Sequence, residues 1–307
     1  MDTNTFVTTL YVMADDFCKA LPPERRPGPS ASLSRGEVVT LGVFGQWFNF
    51  GSERGFHRWA KRNLRSAFPG LPHRSQLNRL MRRYCDAIAC FCLHFAELLD
   101  AARSAYESLD TCAVPSRDCK RRGGGWLPGL ADIGWNNRLD SWYEGFHLLT
   151  SVTPVGVVTG FGVGSASAKD QPLADTFLAL RAGGDGRLAS VGRPANGAYV
   201  TDKGFEGEEL HRAWLRLYGA QVICPNRRNA KNTWPKELRR WLASLRQIVE
   251  TVHEKLLNTF RLSRERPHDV TGFLARLAAK MALHNFCIWL NIQLGRPKLA
   301  FADLVQW

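Results

Sequence analysis

The stretch YVTDKGFEGEEL, residues 199–210, carries the strongest local signal in the chain. An apolar run, GAYV, ends in Asp202, and a lysine, a glycine and a phenylalanine follow before a helical pattern begins. This pattern predicts a buried strand, a tight turn and then an α-helix. Because an aspartate at a strand end often caps the next helix, a chemical role for Asp202 depends on the rest of the sequence.

Composition and charge narrow the class of protein. The chain has 307 residues, of which 45% are hydrophobic, enough for one large core or two modest domains. Its formal charge of +13 and its sequence pI of about 9.7 are typical of a protein that meets a polyanion, either nucleic acid or an anionic membrane surface. The most apolar stretch, residues 273–294, is interrupted by Arg276, Lys280 and His284, which predicts a core helix and no membrane span.

The amino terminus and the cysteines are typical of a cytoplasmic protein. The sequence opens without a charged n-region or a cleavage site, so we expect no secretory signal and reduced thiols at the eight scattered cysteines. Cys85, Cys90, Cys92 and His94 are metal-ligand types that lie close together. They contain no CxxC pair and fall on a helical pattern, which favours core packing over the alternative of a metal site.

Residues 1–103 are expected to form an all-helical domain that binds DNA. Ser34 and Glu37 have the spacing of a capping box at the start of one helix. Between residues 54 and 83, two short helices joined by a turn carry nine basic residues and no acidic one. This unmixed run favours a helix-turn-helix within residues 54–85, with a solvated helix face as the alternative. The nine residues are Arg54, Arg58, Lys61, Arg62, Arg65, Arg74, Arg79, Arg82 and Arg83.

Residues 104–294 are expected to form an α/β domain, followed by a tail at 295–307. A short strand carries Asp110, and two apolar runs around Thr153 and Pro154 predict a β-hairpin over residues 141–163. Strands and helices then alternate, ending in long helices at 234–260 and about 269–294. The fold class is therefore an α/β sheet flanked by helices and preceded by a helical domain.

Three acids end or interrupt apolar elements: Asp110, Asp202 and Glu250. If the fold brings them together, their mutual repulsion requires cations, and Mg²⁺ prefers oxygen ligands. Two such ions can activate a water or a 3′-hydroxyl and stabilise a leaving oxygen, which suits phosphodiester cleavage. Each acid also has a structural alternative: a turn residue at Asp110, a helix cap at Asp202, and a surface pair between Glu250 and Arg246, four residues before it.

These residues also resemble a known family, the bacterial insertion-sequence transposases of the DDE type. The resemblance covers essentially the whole chain. It rests on LDT at Asp110, on an apolar strand followed by Asp202, Lys203, Gly204 and Phe205, and on RxxxET from Arg246 to Thr251. The Asp-Lys-Gly-Phe box is fairly specific, whereas RxxxE on a helix is common and is informative only because it follows that box.

The resemblance implies a ribonuclease-H-like catalytic core. It implies that Asp110, Asp202 and Glu250 bind two Mg²⁺ ions, with Mn²⁺ as a substitute, and that Gly204 leaves room for DNA at the sheet edge. The partners would be double-stranded DNA, as terminal inverted repeats and target, with a homodimer in the DNA complex and no membrane. The setting would be the bacterial cytoplasm, at the nucleoid when DNA is bound.

Several positions depart from the pattern of related chains. A tyrosine often found before the arginine and a lysine often found after the glutamate are Ala243 and Leu257 here. Lys255 or His253 is a candidate to replace that lysine. A lysine expected on the hairpin is His147, whose imidazole can still meet a phosphate when it is charged. We expect Arg246 either to orient a carboxylate or to bind a DNA phosphate.

A basic, glycine-rich stretch, residues 119–142, lies between the first strand and the hairpin. It carries two tryptophans, Trp126 and Trp135, that are candidates to stack on an unpaired base, and a merely structural loop is the alternative. The further DNA-binding candidates are Lys120, Arg121, Arg122, Lys203 and Lys255.

Three functions compete. The first is a transposase that binds transposon ends and catalyses Mg-dependent strand cleavage and strand transfer. The second is a catalytically inactive relative that acts as a repressor or end-binding protein, which the presence of all three acids argues against. The third is a smaller related nuclease, such as a resolvase or ribonuclease H, which would lack the helical first hundred residues.

Overall fold

The computed structural model describes residues 1–23, 31–120, 125–136, 139–183, 197–226 and 234–306. The chain divides into two compact units. The first unit comprises residues 1–95, 259–261 and 269–307, and the second comprises residues 96–258 and 262–268. These two units differ from the predicted domains in one large element. The last long helix, expected in the α/β domain, groups with the amino-terminal helices.

The first unit is helical. Its helices are α1 (Thr3–Ala20), α2 (Arg35–Phe44), α3 (Glu53–Asn63), α4 (Arg74–Arg83), most of α5 (Cys85–Leu98) and α9 (Val270–Gln293). The capping box predicted at the start of α2 is confirmed, since Ser34 and Glu37 each bond the other's backbone N–H. The helix α9 is buried over most of its length, as its apolar composition predicts. None of the described helices is long and apolar enough to cross a membrane.

The second unit is built on a mixed sheet, which confirms the expected α/β class. Its strands are β1 (Glu107–Asp118), β2 (Asp132–Asn136), β3 (Ser141–Val152), β4 (Val158–Ser165), β5 (Ala198–Val200) and β6 (Gln221–Ile223). In the described residues the order is β2-β3-β1-β5-β6, with β4 also paired to β3. The strand β1 is antiparallel to β3 and parallel to β5. This curled sheet flanked by helices has a ribonuclease-H-like arrangement.

The predicted hairpin is confirmed by the pairing of β3 with β4. The backbone N–H of Thr153 donates to Val157 O at 2.9 Å, and the Thr153 hydroxyl accepts from Val157 N–H. Gly156 adopts φ 91°, a left-handed conformation that glycine accepts without strain. Two features were not anticipated: β1 extends to Asp118, and β2 lies within the glycine-rich stretch.

Helices α6 (Asp170–Ala182) and α7 (Glu208–Tyr218) cover one face of the sheet, and α8 (Lys236–Glu254) covers the other. The core between the sheet and helices α6 and α7 includes Leu109, Leu149, Phe177 and Trp214. On the opposite face, Ser108 Oγ donates to the backbone oxygen of Leu245 in α8 at 3.3 Å. Successive residues of β1 therefore face different helices, as the alternation of a strand requires.

Candidate active site

The register of two parallel strands places Asp110, near the start of β1, level with Asp202, just beyond the end of β5. Ser108 on β1 is paired with Val200 on β5. Each aspartate lies two residues beyond its paired position, so both side chains point to the same face. Since the face of Ser108 is the one that α8 covers, Asp110 lies on the α8 face near the start of β1, and Asp202 lies just past the carboxyl end of β5.

Asp110 is a buried carboxylate held by one arginine. Its Oδ2 accepts from Arg246 Nη2 at 2.9 Å, and its Oδ1 accepts from the backbone N–H of Thr111 at 2.9 Å. Burial raises the pKa of Asp110 to about 7, the charge of Arg246 opposes that increase, and the charge of Asp202 adds to it. The two acids are thus close enough to repel each other, a situation that a bound cation relieves.

Asp202 caps a turn and does not cap the helix that follows. Its Oδ1 accepts from the backbone N–H of Gly204 at 2.7 Å, which closes a single 3-10 turn over Lys203–Phe205. The helix α7 begins later, after Gly207, and its amino terminus has no side-chain cap. The turn holds the Asp202 carboxylate at the strand end and buries Phe205 beneath it.

A fourth acid, Asp170, stands beside this turn and was not anticipated from the sequence. A Cβ placed on Gly204 would lie 2.5 Å from Asp170 Oδ2 and 2.8 Å from Asp202 Oδ1. In the structure the space left by Gly204 therefore accommodates a carboxylate of the protein itself. Asp170 is the first residue of α6, where an acid is expected simply to stabilise the helix end. Its position in the sequence therefore did not indicate that it lies beside Asp202.

The contacts of Asp170 connect this corner to the hairpin. Its Oδ1 accepts from Thr111 Oγ1 at 2.6 Å and lies 3.5 Å from His147 Nε2. His147 Nδ1 is 2.7 Å from the backbone oxygen of Ala168, so Nδ1 carries the hydrogen. The sequence left the role of His147 open, with a phosphate contact as one option, and in the structure its ring lies between this oxygen and Asp170.

Glu250 lies on α8, one turn after Arg246, and its side chain is exposed. Arg246 is paired with Asp110, 136 residues away, and so does not form the surface pair with Glu250 that was the structural alternative. Within the described ranges, no three His, Cys, Asp or Glu side chains are grouped closely enough to hold a metal ion. The structure thus brings Asp110 and Asp202 together, whereas Glu250 is an exposed residue of α8.

A buried hydrogen bond fixes α8 close to Glu250. His253 Nε2 lies 2.7 Å from Thr150 Oγ1, and both side chains are buried. Thr150 is the partner of Asp110 across β1 and β3. Lys255, the other candidate to replace the missing lysine, is half-buried at the start of a π-helical turn, Lys255–Thr259.

The predicted basic run lies on α3, α4 and the segment between them, in the first unit. Most of its side chains are exposed, whereas Arg74 and Arg82 are half-buried. Arg82 Nη1 lies 3.6 Å from Asp269 Oδ1, so part of its charge is neutralised within the protein. The exposed members are Arg54, Arg58, Lys61, Arg62, Arg65, Arg79 and Arg83.

The other residues predicted to contact DNA lie in different parts of the chain. Lys120 and Lys203 are exposed, and Arg121 and Arg122 lie outside the described residues. Trp126 is half-buried with its ring against His268, the centroids 4.4 Å apart.

The cysteine cluster on α5 lies in a largely apolar setting. Cys85 and Cys92 are buried, and burial raises the pKa of both thiols, that of Cys85 to about 11. A thiol with a raised pKa is a poor metal ligand and a poor nucleophile at neutral pH.

The family model described as "Transposase DDE domain" matches residues 113–286, more than half of the chain. The matched range contains Asp202, Arg246 and Glu250 and begins three residues after Asp110. No curated protein and no solved structure matches the chain.

Proposed function

This chain belongs to the transposases with a DDE domain, and from that premise we propose that it binds the ends of a mobile element and cuts and rejoins DNA there. The observation that carries the proposal is the proximity of Asp110 on β1 to Asp202, just past the end of the neighbouring strand β5, with Arg246 of α8 bound to Asp110. Glu250 is the third proposed acid. It comes from the same helix as Arg246, on the side that is open to solvent.

The donor chemistry at this corner fits a divalent cation. Asp110 and Asp202 supply carboxylate oxygens, the ligands that Mg²⁺ and Mn²⁺ prefer. Burial is the main cause of the raised pKa of Asp110 and the charge of Asp202 adds to it, so a cation there would favour the ionised carboxylates. When bound, the metal would activate the attacking oxygen and stabilise the leaving oxygen at phosphorus.

The residues of the chain itself have separate roles in this proposal. Arg246 holds the carboxylate of Asp110 in one orientation, and the Gly204 N–H does the same for Asp202. The hydrogen bond from Thr111 to Asp170 holds β1 against the start of α6, next to the two acids. The exposed basic residues of α3 and α4 bind the phosphate backbone, because unmixed positive charge on one segment attracts DNA irrespective of sequence.

The proposal is tested by incubating the purified protein with a duplex that carries the DNA flanking its own gene, in Mg²⁺ or in EDTA. Asp110→Ala, Asp202→Ala and Glu250→Ala are each expected to abolish cleavage and to leave DNA binding intact, since affinity comes mainly from Lys and Arg. Glu237→Ala is the control, because Glu237 is an exposed acid on the same helix as Glu250.

The outcomes separate the alternatives. Normal cleavage by one of the alanine variants would remove that acid from the site. A wild-type protein that binds the duplex tightly, yet never cuts it in Mg²⁺ or Mn²⁺, would instead be an inactive end-binding relative.

DNA binding by the first unit has its own test. Replacing Arg58, Arg62, Arg79 and Arg83 together by Gln should weaken binding and flatten its dependence on log salt, by up to about one unit of slope per lost phosphate contact. Lys19→Gln is the control, since Lys19 is an exposed base on α1 that is paired with Asp15. An unchanged slope would identify the basic run as a solvated helix face.

A further inference from the structure

A second site lies at the far end of β1, away from the paired acids. A pocket of about 560 Å³ opens there between the β1 terminus, the β2–β3 pair and residues 263–266 of the same unit. Its volume is within the range of about 300–1,000 Å³ that is usual for small-ligand sites. Nothing in the proposed cleavage chemistry uses it.

Two exposed tryptophans form one wall of this pocket. Trp135 on β2 and Trp142 on β3 are direct cross-strand partners, with ring centroids 5.3 Å apart and planes at 73°. They remain 43% and 59% exposed, although tryptophan gains more from burial than most residues. An exposed aromatic pair at the mouth of a pocket is a surface suited to stacking against a flat ring.

The other walls carry charge of mixed sign with a basic excess. Arg117, Lys120 and Arg266 line the pocket, together with Asp118 and Asp140. Arg117 lies 3.7 Å from Glu144 and its side chain is only 8% exposed, which holds its guanidinium in place. A ligand that presents an aromatic ring to the tryptophans and an anionic group to the bases matches this lining.

The pocket lies on the face of the sheet that carries the paired acids. Trp142 is eight residues from Thr150 on β3, so the alternation of the strand points both side chains to the same side. Thr150 contacts His253 of α8, the helix that also covers Asp110. Along β1, Asp110 and Arg117 are separated by seven residues, or roughly 23 Å at about 3.3 Å per residue.

From this arrangement we propose that the pocket binds an unpaired nucleobase together with its phosphate, supplied by the DNA strand that crosses the α8 face. The identification of DNA as the source rests on the proposed function. The base would stack on Trp142 and Trp135, and Arg117 or Lys120 would meet the phosphate. A free nucleotide has the same chemistry, so the experiment must separate the two sources.

The test measures binding by fluorescence anisotropy, with the full chain in EDTA so that cleavage plays no part. Three labelled DNAs are compared: a perfect duplex, the same duplex with one unpaired base, and a single strand. Trp142→Ala and Trp135→Ala should each weaken binding to the two DNAs with unpaired bases by roughly tenfold and leave the perfect duplex unchanged. Trp142→Phe should restore most of the loss, because it keeps a stacking ring.

Trp241→Ala is the matched control, since Trp241 on α8 is 53% exposed and lies outside the pocket lining. Equal affinity of the wild type and the Trp142→Ala variant for the unpaired DNAs would overturn the proposal, and so would an equal loss on the perfect duplex. Unlabelled dAMP competing as well as the single strand, with the same dependence on Trp142, would overturn DNA as the source. Because these readouts need no cleavage, their failure is distinct from failure of the proposed function.

Discussion

Two acid–arginine pairs begin on β1, three residues apart, and their surroundings differ. Glu107 and Arg181 are enclosed, with side chains 1% and 0% exposed, and Ser151 and Tyr199 add hydrogen bonds to the pair. Asp110 and Arg246 are 12% and 17% exposed, and Asp202 repels the carboxylate from nearby. We call these the closed pair and the open pair.

The difference separates a contact that serves the fold from one that serves the site. The odd spacing along β1 sends Glu107 toward α6 and Asp110 toward α8, so each pair fastens one helix to one face of the sheet. In the closed pair, Arg181 donates through both Nη atoms to the carboxylate of Glu107. In the open pair, a single nitrogen, Arg246 Nη2, holds a carboxylate whose raised pKa records an unfavourable environment for its charge.

Breaking the closed pair should have the largest effect on stability. Arg181→Leu would leave the Glu107 carboxylate buried without its partner, which we expect to cost about 3–5 kcal/mol of unfolding free energy. Urea denaturation, followed by far-UV circular dichroism, measures the loss as a lower midpoint. Arg212→Leu is the control, because Arg212 forms an exposed pair with Glu208 and its loss should leave the midpoint nearly unchanged.

A double variant sharpens the same test. Glu107→Leu with Arg181→Leu removes both buried charges and should recover much of the stability that the single variant loses. If Arg181→Leu alone left the midpoint unchanged, the closed pair would have no structural role.

Altering the open pair should instead change activity. Arg246→Lys keeps the charge but loses the planar guanidinium that contacts Asp110, so cleavage should fall at least about tenfold, or roughly 1.4 kcal/mol in the barrier. The melting temperature should change little. Arg240→Lys, at an exposed position of the same helix, is the control for the helix as a whole. Cleavage by Arg246→Lys at the wild-type rate would assign the open pair to the fold.

The hydrogen bond between His253 and Thr150 tests how α8 is held above the open pair. Thr150→Val deletes the hydroxyl and leaves His253 Nε2 without this partner in a buried setting, which should cost about 1–2 kcal/mol. Thermal melting measures it, with Thr176→Val as control because the hydroxyl of Thr176 is exposed on α6. Equal melting temperatures for the two variants would show that this bond does not hold the helix.

Gly204→Ala should have the smallest effect on stability and a selective effect on the site. The new Cβ would push against the carboxylates of Asp170 and Asp202, which can move because they are the ends of side chains. We expect a loss of less than about 1 kcal/mol in stability, together with a severalfold loss of cleavage. Gly162→Ala on β4 is the control, since no atom lies within 4 Å of its added Cβ. Equal cleavage rates for the two glycine variants would contradict this role.

Much of the architecture could be read from local patterns because local chemistry determines it. The capping box at Ser34, the hairpin turn at Thr153 and the short strand just before Asp202 each depend on residues a few positions apart. The grouping of Asp110 with Asp202 was predicted from strand ends, and that premise is wrong for Asp110, because β1 continues to Asp118. The register of β1 against β5 nevertheless places the two acids close together. The catalytic roles of these acids, and that of Glu250, stay predictions.

Only the tertiary structure decided which side chains meet at the site and at the pocket. Arg246 has a neighbour of opposite charge one turn away in Glu250, yet it binds Asp110, because the packing of α8 on the sheet directs it inward. Asp170 approaches Gly204 through contacts between elements that are far apart in the chain. Trp142 contacts Trp135 through the register of β2 against β3, which local periodicity did not reveal. Sequence patterns specify which face of an element is buried, whereas the partner on that face is selected by how the elements pack.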